Sequence, residues 1–149
     1  MKKVVFVGLS NKKDKEAFDE TTNSGKIINE IINQLDYECF KLNLVPYAPT
    51  DEFGKLRYPT KEEIKKSLKN FKKEIEKINP DCIVGLGNFV NYELRKIMEY
   101  QNILISEKHP SYICVYKKAH LKQYITNLID KINRKIGTKN DYSNFNGTI

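Results

Sequence analysis

His109 is the residue with the most chemistry to offer. It stands in Lys108-His109-Pro110-Ser111, shortly after the apolar run Ile103-Leu104-Ile105. An imidazole can donate or accept a hydrogen bond near neutral pH, and the fixed φ of Pro110 restricts the turn. Asn43 closes Lys41-Leu42-Asn43, and its amide offers both a donor and an acceptor. Gly85-Leu86-Gly87 and the loop after Gly8 (Leu9-Ser10-Asn11) are places where backbone can come close to a ligand. All four are turns that follow apolar runs. In an open α/β sheet such turns gather at the carboxyl edge of the strands, where ligands bind.

The elements that must position them alternate strand and helix. Lys3 to Val7 reads as a buried strand ended by Gly8, followed by a long polar loop from Leu9 to Asn23. Ile27, Ile28, Ile31, Ile32 and Leu35 recur at helical spacing, with Asn23 or Ser24 as the cap and Gly25 in the first turn. Backbone N–H groups at that helix start are suited to an anion. Tyr37 to Leu44 predicts a second strand, and Val45 to Tyr58, with Pro46, Pro49 and Gly54, a loop. Thr60 and Glu63 form a capping box before a helix carrying Ile64, Leu68, Phe71 and Ile75 on one face. Cys82-Ile83-Val84 is a third strand, and Val90, Leu94, Ile97 and Met98 mark the inner face of the next helix. Ile103 to Ile105 is a fourth strand. His109-Pro110-Ser111 leads into an apolar-basic loop, Tyr112 to Lys118, and a last helix begins near Tyr116 with Leu121, Tyr124, Ile125, Leu128, Ile129 and Ile132 toward the core. Four strand–helix units imply a mostly parallel sheet with helices on both faces. One domain over 1–136 is expected, with a polar, flexible tail over 137–149.

Composition narrows the function classes. The chain has 149 residues, 40% of them hydrophobic, which suits one folded domain. No apolar run is long enough to span a bilayer. Val4-Val5-Phe6-Val7 is short and lacks a small-residue cleavage site, so it reads as a strand rather than a signal peptide, and a cytoplasmic location is expected. The formal charge of +7 favours a polyanionic partner, although much of it lies in the lysine-rich helix from Lys61 to Lys77. Cys39, Cys82 and Cys114 are widely spaced, with no Cys-x-x-Cys pair, so neither a metal site nor a cofactor is expected. Cys82 and Cys114 read as core thiols.

Several short motifs have bland explanations. Gly85-Leu86-Gly87 resembles the start of a dinucleotide fingerprint, but the third glycine falls on Val90, and tight strand-to-helix packing explains the pair. Ser10, His109 and Asp19 hold the residue types of a hydrolase triad, yet no Gly-x-Ser-x-Gly surrounds Ser10. Asn146-Gly147-Thr148 is a glycosylation sequon without a secretory context.

An ordered series is more specific than any of these. It runs Phe-Val-Gly-Leu-Ser at residues 6–10, then Phe18 and Thr22-Asn23-Ser24-Gly25-Lys26, then Lys41 to Pro46. Arg57-Tyr58-Pro59-Thr60, Ile78 to Gly87 and Lys108-His109-Pro110-Ser111 complete it. In that order and at those distances the chain resembles the uracil-DNA glycosylase superfamily over roughly Lys3 to Leu128. The likeness is to its smaller members, including a branch that carries an iron–sulfur cluster.

The resemblance implies a three-layer αβα sandwich around a four-stranded parallel sheet of order 2-1-3-4. It implies flipping of a base out of DNA and hydrolysis of its N-glycosidic bond. Phe18 matches the aromatic that stacks on the base, and Asn43 the asparagine that reads its Watson–Crick edge. His109 matches the histidine that hydrogen-bonds the base oxygen where negative charge builds, an oxyanion-type stabilisation. Gly8 and Leu9 complete the base site. Asn23, Ser24 and Gly87 fall at DNA-binding positions, Ser111, Lys117 and Lys118 where DNA phosphates are met, and Tyr112 or Ile113 where a wedge would fill the gap left by the base. The first motif departs from the pattern: Gly8-Leu9-Ser10-Asn11 lacks its usual proline and acid, leaving Ser10, Asn11 and Asp19 as candidates to position water. Tyr47 and Ser67 stand near where cluster cysteines would be, so no cluster is expected. The implied partner is DNA, single- or double-stranded, with no membrane, and a monomer is expected. Two other readings stay open: an inactive member that binds DNA, a nucleotide or a free base, and a small-molecule enzyme such as a nucleoside hydrolase or deoxyribosyltransferase.

Overall fold

The computed structural model describes residues 1–148, excluding the side chains of residues 115, 116 and 138–148. Four strands, β1 (Lys3–Ser10), β2 (Glu38–Val45), β3 (Cys82–Leu86) and β4 (Leu104–Glu107), form one parallel sheet in the order β2-β1-β3-β4. The helices between and after them are α1 (Asn23–Asn33), α2 (Lys61–Ile78), α3 (Asn88–Leu94), α4 (Pro110–Tyr116) and α5 (Leu121–Thr148).

Alternation along the strands separates two cores. Val4, Phe6, Val84 and Leu86 face α1, α4 and α5, while Val5, Val7 and Ile83 face α2 and α3. The sheet is thus buried on both faces, which is why its strands read as continuous apolar runs. β1 pairs with β2 on one side and β3 on the other, so the chain reverses direction across the sheet at the end of β1. That switch point opens a crevice at the carboxyl edge.

Several local expectations are corrected. β1 continues past Gly8 to Ser10, because Gly8 and Ser10 still pair with Asn43 and Val45 of β2. Thr22, not Asn23 or Ser24, caps α1: its Oγ1 accepts from the Gly25 N–H at 2.9 Å, so that donor is taken internally. The Tyr112–Lys118 loop is in fact α4, started by Pro110 at its first position, and a break at Lys117 separates it from α5. Met98 is 81% exposed; α3 ends at Leu94, and Tyr100 from the next turn takes the inward place. The capping box forms as read, with Thr60 and Glu63 bonded reciprocally. The helix α5 reaches Thr148; Ile149 and the side chains of the expected polar tail, including the sequon, lie outside the described residues.

Candidate active site

The parallel register places the four turns side by side. Gly8 pairs with Asn43, and Leu86 with Glu107, while Gly87 and His109 follow at the ends of β3 and β4. Together they wall an open cavity of about 860 Å³ at the carboxyl edge. The size lies within the usual range for small-molecule sites.

Gly8 is where the cavity floor is tightest. A Cβ there would overlap Asn43 Oδ1 and sit 3.0 Å from Phe18 Cζ, so glycine lets the strand, the amide and the ring meet. Phe18 is buried, and its backbone is held at φ 49°, a left-handed conformation uncommon for a bulky residue. Its carbonyl accepts from Asn29 Nδ2 at 3.2 Å and Lys41 Nζ at 3.4 Å, which hold the loop in that shape. The Phe18 ring lies 6.0 Å from the His109 ring, centroid to centroid.

His109 caps α4. Its Nδ1 accepts from the Ser111 N–H at 3.1 Å and lies 2.7 Å from Ser111 Oγ. With Nδ1 serving as acceptor, the neutral ring carries its proton on Nε2, the nitrogen free to act as a donor. Burial, then the charge of Lys12, pushes the imidazole pKa down to about 4, so the ring is neutral at pH 7. The preceding turn is braced from three directions. Tyr124 of α5 donates to the Lys108 carbonyl at 2.6 Å, and its own hydroxyl pKa is raised by burial. Lys131 pairs with Glu107 at 2.7 Å. Buried Asn91 donates to the Gly85 and Glu107 carbonyls at 3.0 and 3.2 Å, tying β3 to β4.

Asn43 Nδ2 donates to Asn11 Oδ1 at 2.6 Å, and Asn11 N–H donates to the Tyr47 carbonyl at 3.1 Å. Asn11 therefore orients the Asn43 amide. Asp19 reaches the cavity, but its carboxylate accepts from the Thr21 hydroxyl and backbone N–H at 2.6 and 2.9 Å. Those bonds lower its pKa, which weakens it as a base. Because His109 Nδ1 is bonded to Ser111 and Asp19 to Thr21, Ser10, His109 and Asp19 do not form a relay. Gly85 is buried in β3, and Gly87, at φ 104°, turns the chain into the seven-residue α3; this is the tight connection rather than a dinucleotide site.

Of the residues read from sequence, Gly8, Leu9, Ser10, Asn11, Phe18, Asp19, Ser24, Asn43, Gly87, His109, Ser111 and Tyr112 line this cavity. Asn23, Lys117 and Lys118 do not. Ile113 is buried against the α1–α5 core and is no wedge, which leaves exposed Tyr112, with Lys108 Nζ 5.4 Å from its ring centre. Lys12, Glu16, Leu56, Arg57, Tyr58 and Phe89 were not foreseen as cavity residues. Large aromatics such as Tyr58 and Phe89 in a Pro-rich loop and beside a Gly-x-Gly turn were the available signal.

The loop between β2 and α2 is knotted by Glu63. Its carboxylate accepts from Arg57 at 2.6 Å, the Thr60 N–H at 3.0 Å and the Tyr47 hydroxyl at 3.0 Å. These bonds, Arg57 first, bring the Glu63 pKa down to about 2.

The cysteines do not fit an iron–sulfur cluster. Cys39, Cys82 and Cys114 lie on three separate elements, β2, β3 and α4, and no three His, Cys, Asp or Glu side chains gather as a metal site among the described residues. Burial raises the Cys39 pKa to about 11, as expected of an unreactive thiol.

The parallel sheet of order 2-1-3-4 thus brings a histidine, an asparagine and an aromatic together at its carboxyl edge. The model of the uracil DNA glycosylase superfamily matches residues 1–133, and the chain belongs to that family. No curated protein matches the chain. Members of this superfamily are mostly hydrolytic glycosylases that act on DNA. Among the described residues, no helix is long and apolar enough to cross a membrane.

Proposed function

We propose that this protein is a DNA glycosylase that hydrolyses the N-glycosidic bond of a flipped-out uracil or other deaminated or modified base. The observation that carries this reading is the meeting of Phe18, Asn43 and the neutral His109 on one cavity. In this scheme the base lies against Phe18 and its edge meets the Asn43 amide. As the C1′–N bond breaks, its electron pair leaves with the base, and the Nε2–H of His109 donates to the oxygen that gains charge. Water then adds to C1′ and its surplus proton is lost, ultimately to the base. Ser10 and Asp19 are the side chains that position this water, and Tyr112 fills the place the base vacated.

A second reading, an inactive member that binds DNA, a nucleotide or a free base, draws on the first motif. Asn11 is committed to Asn43, and Asp19 to Thr21, so the motif offers no freely basic group. The deciding test is base release from labelled single- and double-stranded oligonucleotides, each with one uracil, hypoxanthine, xanthine or modified cytosine, followed by alkaline cleavage. Release that disappears in His109→Ala and Asn43→Ala, with the fold retained, supports the glycosylase. Binding with no abasic product on any substrate supports the inactive reader. Release by both variants at the wild-type rate refutes the assigned roles.

A further inference from the structure

Tyr58 and Phe89 are unusual among the large side chains of this protein: they line a cavity and yet are 73% and 61% exposed. Their rings touch each other, centroids 5.5 Å apart and planes at 42°. Tyr58 comes from the loop after β2 and Phe89 from α3 after β3, so the pair bridges the front of β1 between them. It stands on the α2–α3 side of the sheet edge, whereas Phe18 belongs to the core on the α1–α5 side. Besides exposed Tyr112, the cavity therefore has a buried aromatic station at Phe18 and an open one at Tyr58 and Phe89.

The open pair is held rather than loose. Arg57, next to Tyr58, is clamped by Glu63 at 2.6 Å and donates through Nε to the Thr50 carbonyl at 3.0 Å. Its charge is committed to the loop. The cavity's other cations are Lys12, near His109, and Lys108, over Tyr112, while Lys13 Nζ lies 4.0 Å from the space a Cβ on Gly54 would take, in the loop that carries Tyr58.

Exposed rings on a cavity lined by lysines are the chemistry that binds unpaired nucleobases, which stack on aromatic faces while the backbone follows positive charge. We infer that Tyr58 and Phe89 form a stacking ledge for an unpaired base adjoining the one held in the cavity, making single-stranded DNA the favoured form. The inference rests on the cavity being a DNA-base site. In a duplex the neighbours of a flipped base stay stacked on their own strand partners and cannot lie on the ledge. In a single strand they are free to turn onto it.

The test is fluorescence anisotropy with a labelled oligothymidylate, which contains no target base, and with a blunt duplex of equal length. Wild type, Tyr58→Ala/Phe89→Ala and Tyr58→Trp/Phe89→Trp are compared across a salt series. One base stacked on an aromatic corresponds to about 5- to 150-fold in affinity. The alanine pair is expected to weaken single-strand binding by about that factor and leave duplex binding unchanged. The salt slope should also stay unchanged, since no phosphate contact is removed. The tryptophan pair should bind the single strand as wild type or more tightly. Wild-type single-strand affinity in the alanine pair, equal loss on both DNA forms, or a wild-type protein that does not prefer the single strand overturns the ledge. Base release is measured separately on the same proteins. A protein that releases no base, yet loses single-strand binding with the alanine pair, fails as a glycosylase but keeps the ledge.

Discussion

The neutral His109 has a thermodynamic consequence that can be measured without any substrate. In the folded protein its pKa is pushed down to about 4 by burial and by Lys12, whereas an unfolded chain carries an ordinary histidine near 6.5. Between those values the unfolded state binds a proton that the native state refuses. The stabilisation is therefore present above pH 6.5 and is lost as pH falls through about 4. At about 1.4 kcal/mol per pH unit, the interval corresponds to about 3 kcal/mol. His109→Asn keeps a good helix cap at α4 but carries no titrating ring. Urea unfolding of both proteins from pH 7 to pH 4 should show wild type losing about 3 kcal/mol more than the variant. Carboxylates with lowered pKa, Asp19 and Glu63, are common to both proteins and cancel in the comparison. The ring resonances give an independent reading, because the chain has only one other histidine, exposed His120. Equal pH slopes in the two proteins, or a His109 resonance that titrates near 6.5, would refute the burial-lowered pKa on which this reasoning rests.

Other predictions probe the remaining contacts. Asn43→Asp sets a carboxylate against Asn11 Oδ1, now 2.6 Å from the amide nitrogen, and removes the donor assigned to the base edge in the proposed function; on that proposal uracil release should fall on the order of 10⁴-fold, measured in single-turnover assays. Gly8→Ala drives a methyl group into Asn43 Oδ1 and against Phe18. Overpacking of this kind costs about 1–3 kcal/mol, and base release should fall more than the melting temperature suggests; full activity would show that the cavity floor yields. Tyr124→Phe deletes the 2.6 Å bond to the Lys108 carbonyl, and denaturant unfolding should report a loss of about 1 kcal/mol; no loss would mean the turn is held without it.

The architecture was legible because both its layers leave a period in the sequence. Continuous runs such as Val4 to Val7 are what a strand buried on two faces looks like, and Ile27, Ile28 and Ile31 mark the face of α1 that meets it. The strand order was not legible in composition or spacing; it came with the motif series. Register then delivered the site, since Gly8 opposite Asn43 is a consequence of parallel pairing. What failed was decided by contacts that periodicity does not encode. Tyr112 to Lys118 looked like a loop because it is short and mixed, yet Pro110 starts a helix there and Ile113 buries itself beneath it. Met98 fits the helical spacing of Val90 and Leu94, but α3 stops after Leu94, and the chain then turns Met98 outward. Tyr58 stands in the motif series but was not read as a cavity residue, because it contributes to no repeat; the Glu63 knot, the Arg57 bond to its carbonyl and the Phe89 ring give it its place only in the folded loop.

The first motif is the point where sequence and geometry pull hardest against each other, and the geometry suggests how they are reconciled. A base needed to strip a proton from water early in bond cleavage would have to be poised near neutral pH. Neither cavity side chain that could hold water is poised in that way. Ser10 has no activating neighbour in hydrogen-bond contact among the described residues, and Asp19 is kept acidic by Thr21. The bracing lies instead at the turn that carries His109, the proposed leaving-group side, where Tyr124, Asn91 and Ser111 converge. Such an arrangement is useful when cleavage runs ahead of water attack, because the transition state then places its charge on the departing base. It follows that Asp19→Asn should lower base release far less than His109→Asn does. The ratio of the two losses, measured on one substrate under single-turnover conditions, tests the order of events directly: equal losses would return the water-positioning acid to the centre of the mechanism.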